Sequence, residues 1–223
     1  MKKYFVILMS MIFILTLTAC GNEDNTENNS TLQATKENKD VDTSKENSSE
    51  LKEDITKNPE NTKSKTLVVY FSWSPSGNTE KMANTIIEQT DGTLYEIVPA
   101  NPYPEDYTEC TEVALEERDD NIRPEIKDLP ESLEEYDRII IGFPIWWHTA
   151  PMIIGTFLEN YDLTGVDIYP FSQSASMNTE QFDASMEFIR ECANGADIHE
   201  GLFVKASDTD SIEAYLTENG LIN

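Results

Sequence analysis

The chain has 223 residues, 39% of them hydrophobic and 26% charged, and a formal net charge of −26. That length holds one domain of ordinary size with a segment to spare. So acidic a surface repels nucleic acid and anionic lipid headgroups; it favours a basic partner, although solubility alone also accounts for the charge.

The spare segment is at the front. Residues 1–20, MKKYFVILMSMIFILTLTAC, open with two lysines and continue as an apolar run interrupted only by Ser and Thr. This is the basic start and apolar centre of a secretory signal, whereas a spanning helix needs about 20 apolar residues. The final LTAC resembles the lipobox of bacterial lipoproteins. That resemblance implies acylation of Cys20, cleavage before it, and a lipid anchor on the extracytoplasmic side of the cell membrane. An uncleaved anchor helix, or an ordinary signal with a chance cysteine, is the plainer alternative. Each buried methylene contributes about 0.8 kcal/mol, so several acyl chains on one cysteine hold a protein firmly.

Residues 21–65 are Asn, Thr, Ser, Glu, Asp and Lys with almost nothing apolar. Such a segment buries too little surface to offset its ordering entropy and is expected to be a disordered tether. As a flexible coil it reaches roughly 35–40 Å. The folded part, 66–223, holds seven basic and 31 acidic residues, a net −24. Cys110 and Cys192 sit inside helical patterns and read as buried free thiols rather than a disulfide.

The elements then follow in order. TLVVYFS (66–72) is β-branched and aromatic, a strand buried on both faces. TEKMANTIIEQT spaces Met82, Ala83, Ile86 and Ile87 along one helical face, with Gly92 just beyond as a stop. TLYEIVP (93–99) alternates as a second strand; YPEDYTECTEVALEERDD is an acidic helix, followed by a connection around Pro124 and Pro130. DRIIIGFP (137–144) has the unbroken isoleucines of a central strand, and Pro151 opens the helix MIIGTFLENY. VDIYPF, TEQFDASMEFIREC, GLFV and SDTDSIEAYLTENG complete five strands alternating with helices. The pattern predicts a doubly wound α/β domain with right-handed crossovers between parallel strands. Ligands of such sheets sit beyond the carboxyl ends of the strands, which directs attention to the loops after strands one, three and four.

After strand one, Ser74, Pro75, Ser76, Gly77, Asn78 and Thr79 lead directly into a helix. Amides at a helix N-terminus attract an anion, hydroxyls complete a cage around phosphate oxygens, and glycine permits close approach. The loop resembles the flavodoxin phosphate loop: a hydroxyl residue, any residue, a hydroxyl residue, then Gly-x-Thr. An ordinary helix cap is the alternative reading. Pro75 departs from the pattern because it has no N–H; either phosphate binding is weaker or another donor substitutes. Lys81 reads as a solvated helix lysine rather than a counter-charge.

After strand three comes GFPIWWHTAP (142–151). Two adjacent tryptophans on a loop are unusual, and a flavin ring is a flat partner for an indole. The stretch resembles flavodoxin-like proteins with PIWW before a Pro-started helix. That implies an isoalloxazine lined by Pro144, Ile145, Trp146, Trp147, His148 and Thr149, with one tryptophan free to pack in the core. After strand four, relatives commonly show a glycine pair; here Ser172, Gln173, Ser174, Ala175 and Ser176 stand there, with Ser172, Ser174 and Ala175 taken as cofactor contacts.

The resemblance covers residues 66–204 and implies a flavodoxin-like, doubly wound, five-stranded parallel sheet in the order 2-1-3-4-5, with FMN as cofactor. No Ser-His-Asp grouping or Cys/His ligand cluster is evident, and only two histidines exist, so the leading expectation is an electron carrier without a metal. Its partner would be a redox protein with a basic docking face. Two alternatives stay open: an FMN-dependent NAD(P)H quinone or flavin reductase of the same fold, and a flavin-free binding lipoprotein.

Overall fold

The computed structural model describes residues 64–222. The expected signal (1–20) with Cys20, and the tether (21–65) except its last two residues, lie outside them. The strands are β1 (Thr66–Tyr70), β2 (Thr93–Glu96), β3 (Val98–Pro99), β4 (Ile126–Lys127), β5 (Arg138–Pro144), β6 (Asp167–Gln173), β7 (Asp197–Ile198) and β8 (Leu202–Phe203). The helices are α1 (Asn78–Gln89), α2 (Tyr107–Asp119), α3 (Met152–Glu159), α4 (Thr179–Cys192) and α5 (Thr209–Glu218).

Every residue of β1 is buried, as its composition predicts for a central strand. It pairs in parallel with β2 and β5, Leu67 lying opposite Thr93 on one side and Ile139 on the other. The main sheet runs β2-β1-β5-β6-β7, and β8 also pairs with β6. Taken as one interrupted strand, β7 and β8 complete the expected order 2-1-3-4-5. Successive side chains point to opposite faces. Val68, Tyr70 and Ile140 pack against Met82 and Ile86 of α1 and Ile212 and Leu216 of α5. Leu67, Val69, Ile139 and Ile141 instead belong to the cluster holding Ile153 and Phe157 of α3 and Ile189 of α4. Each such aliphatic or aromatic side chain contributes roughly 1.5–3 kcal/mol when fully buried. Two covered faces make the sheet a rigid platform for the loops at its carboxyl edge.

Two details differ from the sequence expectation. The second strand stops at Glu96, and the next residues, β3, pair antiparallel with β4 from the Pro-containing connection. This ribbon ties the chain entering α2 to the chain leaving it. The last strand is longer than GLFV and broken. Asp197 and Ile198 pair with Asp167 and Ile168, and Leu202 and Phe203 with Phe171 and Ser172. The Ile168 carbonyl accepts from the His199 N–H at 2.9 Å, so alternate residues of β6 present their backbone groups to this edge. Pro170, two residues on, has no N–H to offer there, and the partner strand breaks opposite it.

Cys110 and Cys192 are free and buried, as expected. Burial raises the Cys110 thiol to about 11, helped by the nearby Glu117 charge, and the Cys192 thiol to about 12, helped by its contact with Glu159. Neither carries useful thiolate at neutral pH. Iodoacetamide at pH 8 should therefore leave both unmodified in the native protein and label both once the chain is unfolded; rapid native labelling of either would contradict this.

Candidate functional site

At the carboxyl ends of the strands the loops enclose a cleft of about 740 Å³. Three loops and one helix build it. The first loop follows β1. Ser74 O accepts from Gly77 N at 2.8 Å, closing a four-residue turn with Pro75 in second place. Proline is favoured there because its fixed φ suits the turn, so Pro75 shapes the loop at a point where an amide is not used. Ser74 Oγ and Ser76 Oγ lie 3.0 Å apart, and Ser76 N donates to Ser74 Oγ at 3.3 Å. Gly77 then adopts φ 58°, a left-handed conformation that glycine reaches without steric cost. No side chain caps α1, whereas Asp106, Asn178 and Asp208 cap α2, α4 and α5. The first amides of α1 are left facing the loop, with the positive end of the helix dipole behind them.

The second loop follows β5. Trp146 and Thr149 exchange both backbone hydrogen bonds, at 2.9 and 3.0 Å, around Trp147 and His148. Both central residues have positive φ, 46° and 68°. This is the geometry of a two-residue hairpin turn, in which Asn and Gly are the usual occupants; bulky residues there cost about 1–2 kcal/mol each. The surroundings offset that strain. Trp147 Nε1 donates to Thr111 O at 2.7 Å, and Arg118 donates to Trp147 O at 3.0 Å with its guanidinium 5.6 Å from the indole centroid. Trp147 is thus fixed yet 39% exposed. Trp146 has the opposite fate. Its ring is edge-on to Phe71, Trp73 and Tyr103 at 5.3, 6.0 and 5.1 Å, half-buried against the apolar cluster at the cleft wall.

The third loop follows β6. Met177 N donates to Ser174 Oγ at 3.1 Å, which folds the loop back before Asn178 caps α4. Small side chains at Ser174 and Ala175 keep this wall low.

Of the sequence-predicted residues, the cleft brings together Ser74, Ser76, Asn78, Pro144, Ile145, Trp146, Trp147, His148, Ser174 and Ala175. Gly77, Thr79, Thr149 and Ser172 stand behind its surface: Gly77 makes the turn, Thr79 is buried, Thr149 closes the tryptophan turn, and Ser172 Oγ donates to Phe143 O at 2.6 Å. Sequence reasoning missed the wall supplied by α2 and the chain before it. Tyr107, 72% exposed, stands over the cleft beside Trp73, and Cys110 and Ala114 form apolar floor. The signal was available in the helical spacing of Tyr107, Cys110 and Ala114, but the acidic residues between them drew the reading toward solvent.

Behind this wall, Tyr103 donates from its hydroxyl to Glu117 Oε2 at 2.8 Å, and Glu117 is buried. Glu117 therefore does not belong with the surface acids Glu112, Glu116 and Asp119 of the same helix. Burial raises its carboxyl above the usual range, against the lowering effect of the Tyr103 hydrogen bond. The folded state then keeps a proton that the unfolded chain has already released. Its contribution is full below the unfolded value near 4.5 and is lost as pH rises through the raised folded value. Glu117→Gln keeps an acceptor and removes the charge, so it should raise the melting temperature at pH 7, with a gain that shrinks toward pH 4. A gain independent of pH would contradict the assignment.

The site joins a neutral donor cradle, fit for a phosphate, to an apolar cleft flanked by exposed aromatic rings, fit for a flat ring system. Its constituents match a doubly wound nucleotide-binding domain. The comparisons make this specific. Residues 65–219 match the family model described as flavodoxin, and the chain belongs to that family. It is 33% identical to a candidate flavoprotein from Bacteroides eggerthii, covering 70% of this chain and 98% of that one, with a TM-score of 0.60. It is 31% identical to a Lactobacillus acidophilus flavoprotein solved in complex with FMN, covering 68% and 99%, with a TM-score of 0.54. No curated protein matches the chain. Among the described residues no cluster of His, Cys, Asp or Glu could hold a metal ion, and no helix is long and apolar enough to cross a membrane.

Proposed function

We propose that this chain is an FMN-dependent electron carrier, held by lipid on Cys20 at the extracytoplasmic face of the cell membrane. The observation that carries the redox reading is the shared cleft: the uncapped start of α1 and the exposed, anchored Trp147 open onto one space. In this reading Ser74, Ser76 and the amides of Asn78 and Thr79 at the start of α1 hold the phosphate, and Trp147 covers the ring. Family membership and the FMN complex of the Lactobacillus relative support the cofactor. Bound FMN supplies reversible one-electron chemistry; the protein supplies binding, orientation and electrostatic tuning. The lipid anchor and location rest on residues 1–20, and the tether gives the domain reach toward a partner with a basic face.

The negative surface of α2 beside the cleft should disfavour added electrons on the cofactor and lower its potential. Neutralising Glu112, Glu116 and Asp119 together should raise the midpoint potential or weaken partner docking at low salt. If neither changes, the charge serves solubility. The function itself is tested by a reductive titration of the FMN-loaded chain alongside steady-state assays with NADH and a quinone. Reversible electron uptake and negligible turnover are expected; rapid turnover would make the protein a reductase instead.

A further inference from the structure

From Thr66 onward the chain has 31 acidic and seven basic residues, a field that opposes a phosphate ester. The donors of the 74–79 loop are neutral, so by themselves they do nothing to reverse that field. A second cavity of about 360 Å³ adjoins the cleft and shares Asn78, Ser174 and Ala175 with it. Its walls include Lys81 from α1 and Lys205 from the segment between β8 and α5. Two of the seven cations therefore meet at one cavity, beside the first residue of α1. Most of the others are engaged elsewhere: Arg118 with Asp119, Arg123 with Glu159, Lys127 with Asp128, and Arg138 with Gly220 O. Lys81 is not simply solvated, as the sequence reading had it. Its Nζ donates to Ser76 O at 2.8 Å, which fixes the ammonium on the phosphate loop. Lys205, far away in sequence, is brought to the same place only by the fold.

We propose that Lys81 and Lys205 form a cationic wall of the phosphate subsite, so that the site selects phosphorylated over unphosphorylated flavin by charge as well as by backbone amides. The inference rests on the FMN reading above. An ammonium is a compact point charge that strengthens any hydrogen bond to a phosphate oxygen. Both side chains are exposed, so screening keeps each contribution modest.

The test is to titrate the flavin-free full chain with FMN and with riboflavin, following tryptophan fluorescence. The wild type should bind FMN more tightly. Lys205→Met and Lys81→Met should each weaken FMN about three- to fivefold, and the double variant about tenfold, within the range of exposed ion pairs acting on a dianion. Riboflavin affinity should not change, and Lys81→Arg should retain FMN affinity. High NaCl should shrink the wild-type preference. Equal weakening of both flavins would show that the lysines only support the loop, and unchanged FMN binding in the double variant would show that they do not reach the phosphate. Either result overturns this inference and leaves the FMN reading intact. A wild type that binds neither flavin overturns both.

Discussion

Replacing Trp147 by alanine is expected to weaken FMN binding about fifty-fold while lowering the melting temperature by only about 2–6 °C. The indole is held before any ligand arrives, by its Nε1 bond to Thr111 O and by Arg118 on its face and carbonyl. Little ordering entropy remains to be lost on binding, so most of the ring contact counts. Covering roughly 100 Å² of flavin at about 25 cal/mol per Å² amounts to ~2.5 kcal/mol. The side chain is 39% exposed, so removing it opens no core cavity; the lost contacts with Thr111 and Arg118 amount to about 1–2 kcal/mol, and the strain at φ 46° stays because alanine keeps its Cβ. Trp146→Ala should behave differently. That half-buried ring packs edge-on against Phe71, Trp73 and Tyr103, and its loss should lower stability by about 1–3 kcal/mol along with binding. A Trp147→Ala variant with wild-type FMN affinity by titration would place the flavin elsewhere.

Gly142→Ala is expected to destabilise the domain by about 3 kcal/mol or more, lowering the melting temperature by roughly 6–12 °C. Gly142 lies in β5, and a Cβ there would fall 2.0 Å from Cζ of Phe171 on the neighbouring strand. Phe171 is itself fully buried and pairs with Gly142 across the ladder, so the ring has nowhere to retreat without displacing α1 or α5 contacts. The substitution lies two residues before the end of β5, which leads into the tryptophan loop, so FMN binding should fall with stability. Thermal unfolding by circular dichroism checks it; a shift under 2 °C would mean that the sheet accommodates the methyl group.

The parts of this structure that were legible in the sequence are those fixed by simple periodicity. The run 66–70 and the isoleucines 139–141 read as central strands because a strand covered on both faces needs apolar residues at every position. The place of loop 74–79 at the start of α1, on the cleft, was legible because hydroxyls and a glycine after a buried strand mark a strand-to-helix turn. Less visible were features set by backbone direction. Nothing in IWWHT announces that Trp147 and His148 adopt left-handed conformations, since neither is glycine or asparagine. That turn decides which indole is exposed over the cleft and which packs edge-on among Phe71, Trp73 and Tyr103. Pro75 departs from the loop pattern because it has no N–H, yet its second place in the Ser74–Gly77 turn requires none. The break in the last strand follows from the missing N–H of Pro170, a residue on the neighbouring strand. Glu117 could not be separated from the other acids of α2 until Tyr103, fourteen residues earlier, was seen to reach it.

In the proposed function, one cleft grips FMN by its phosphate at the start of α1 and by its ring against Trp147. Adding FMN to the flavin-free full chain tests it most directly. Saturable quenching of tryptophan emission at one equivalent is expected, with a yellow protein that keeps its colour through desalting. Unchanged emission and a colourless protein at excess FMN would contradict it.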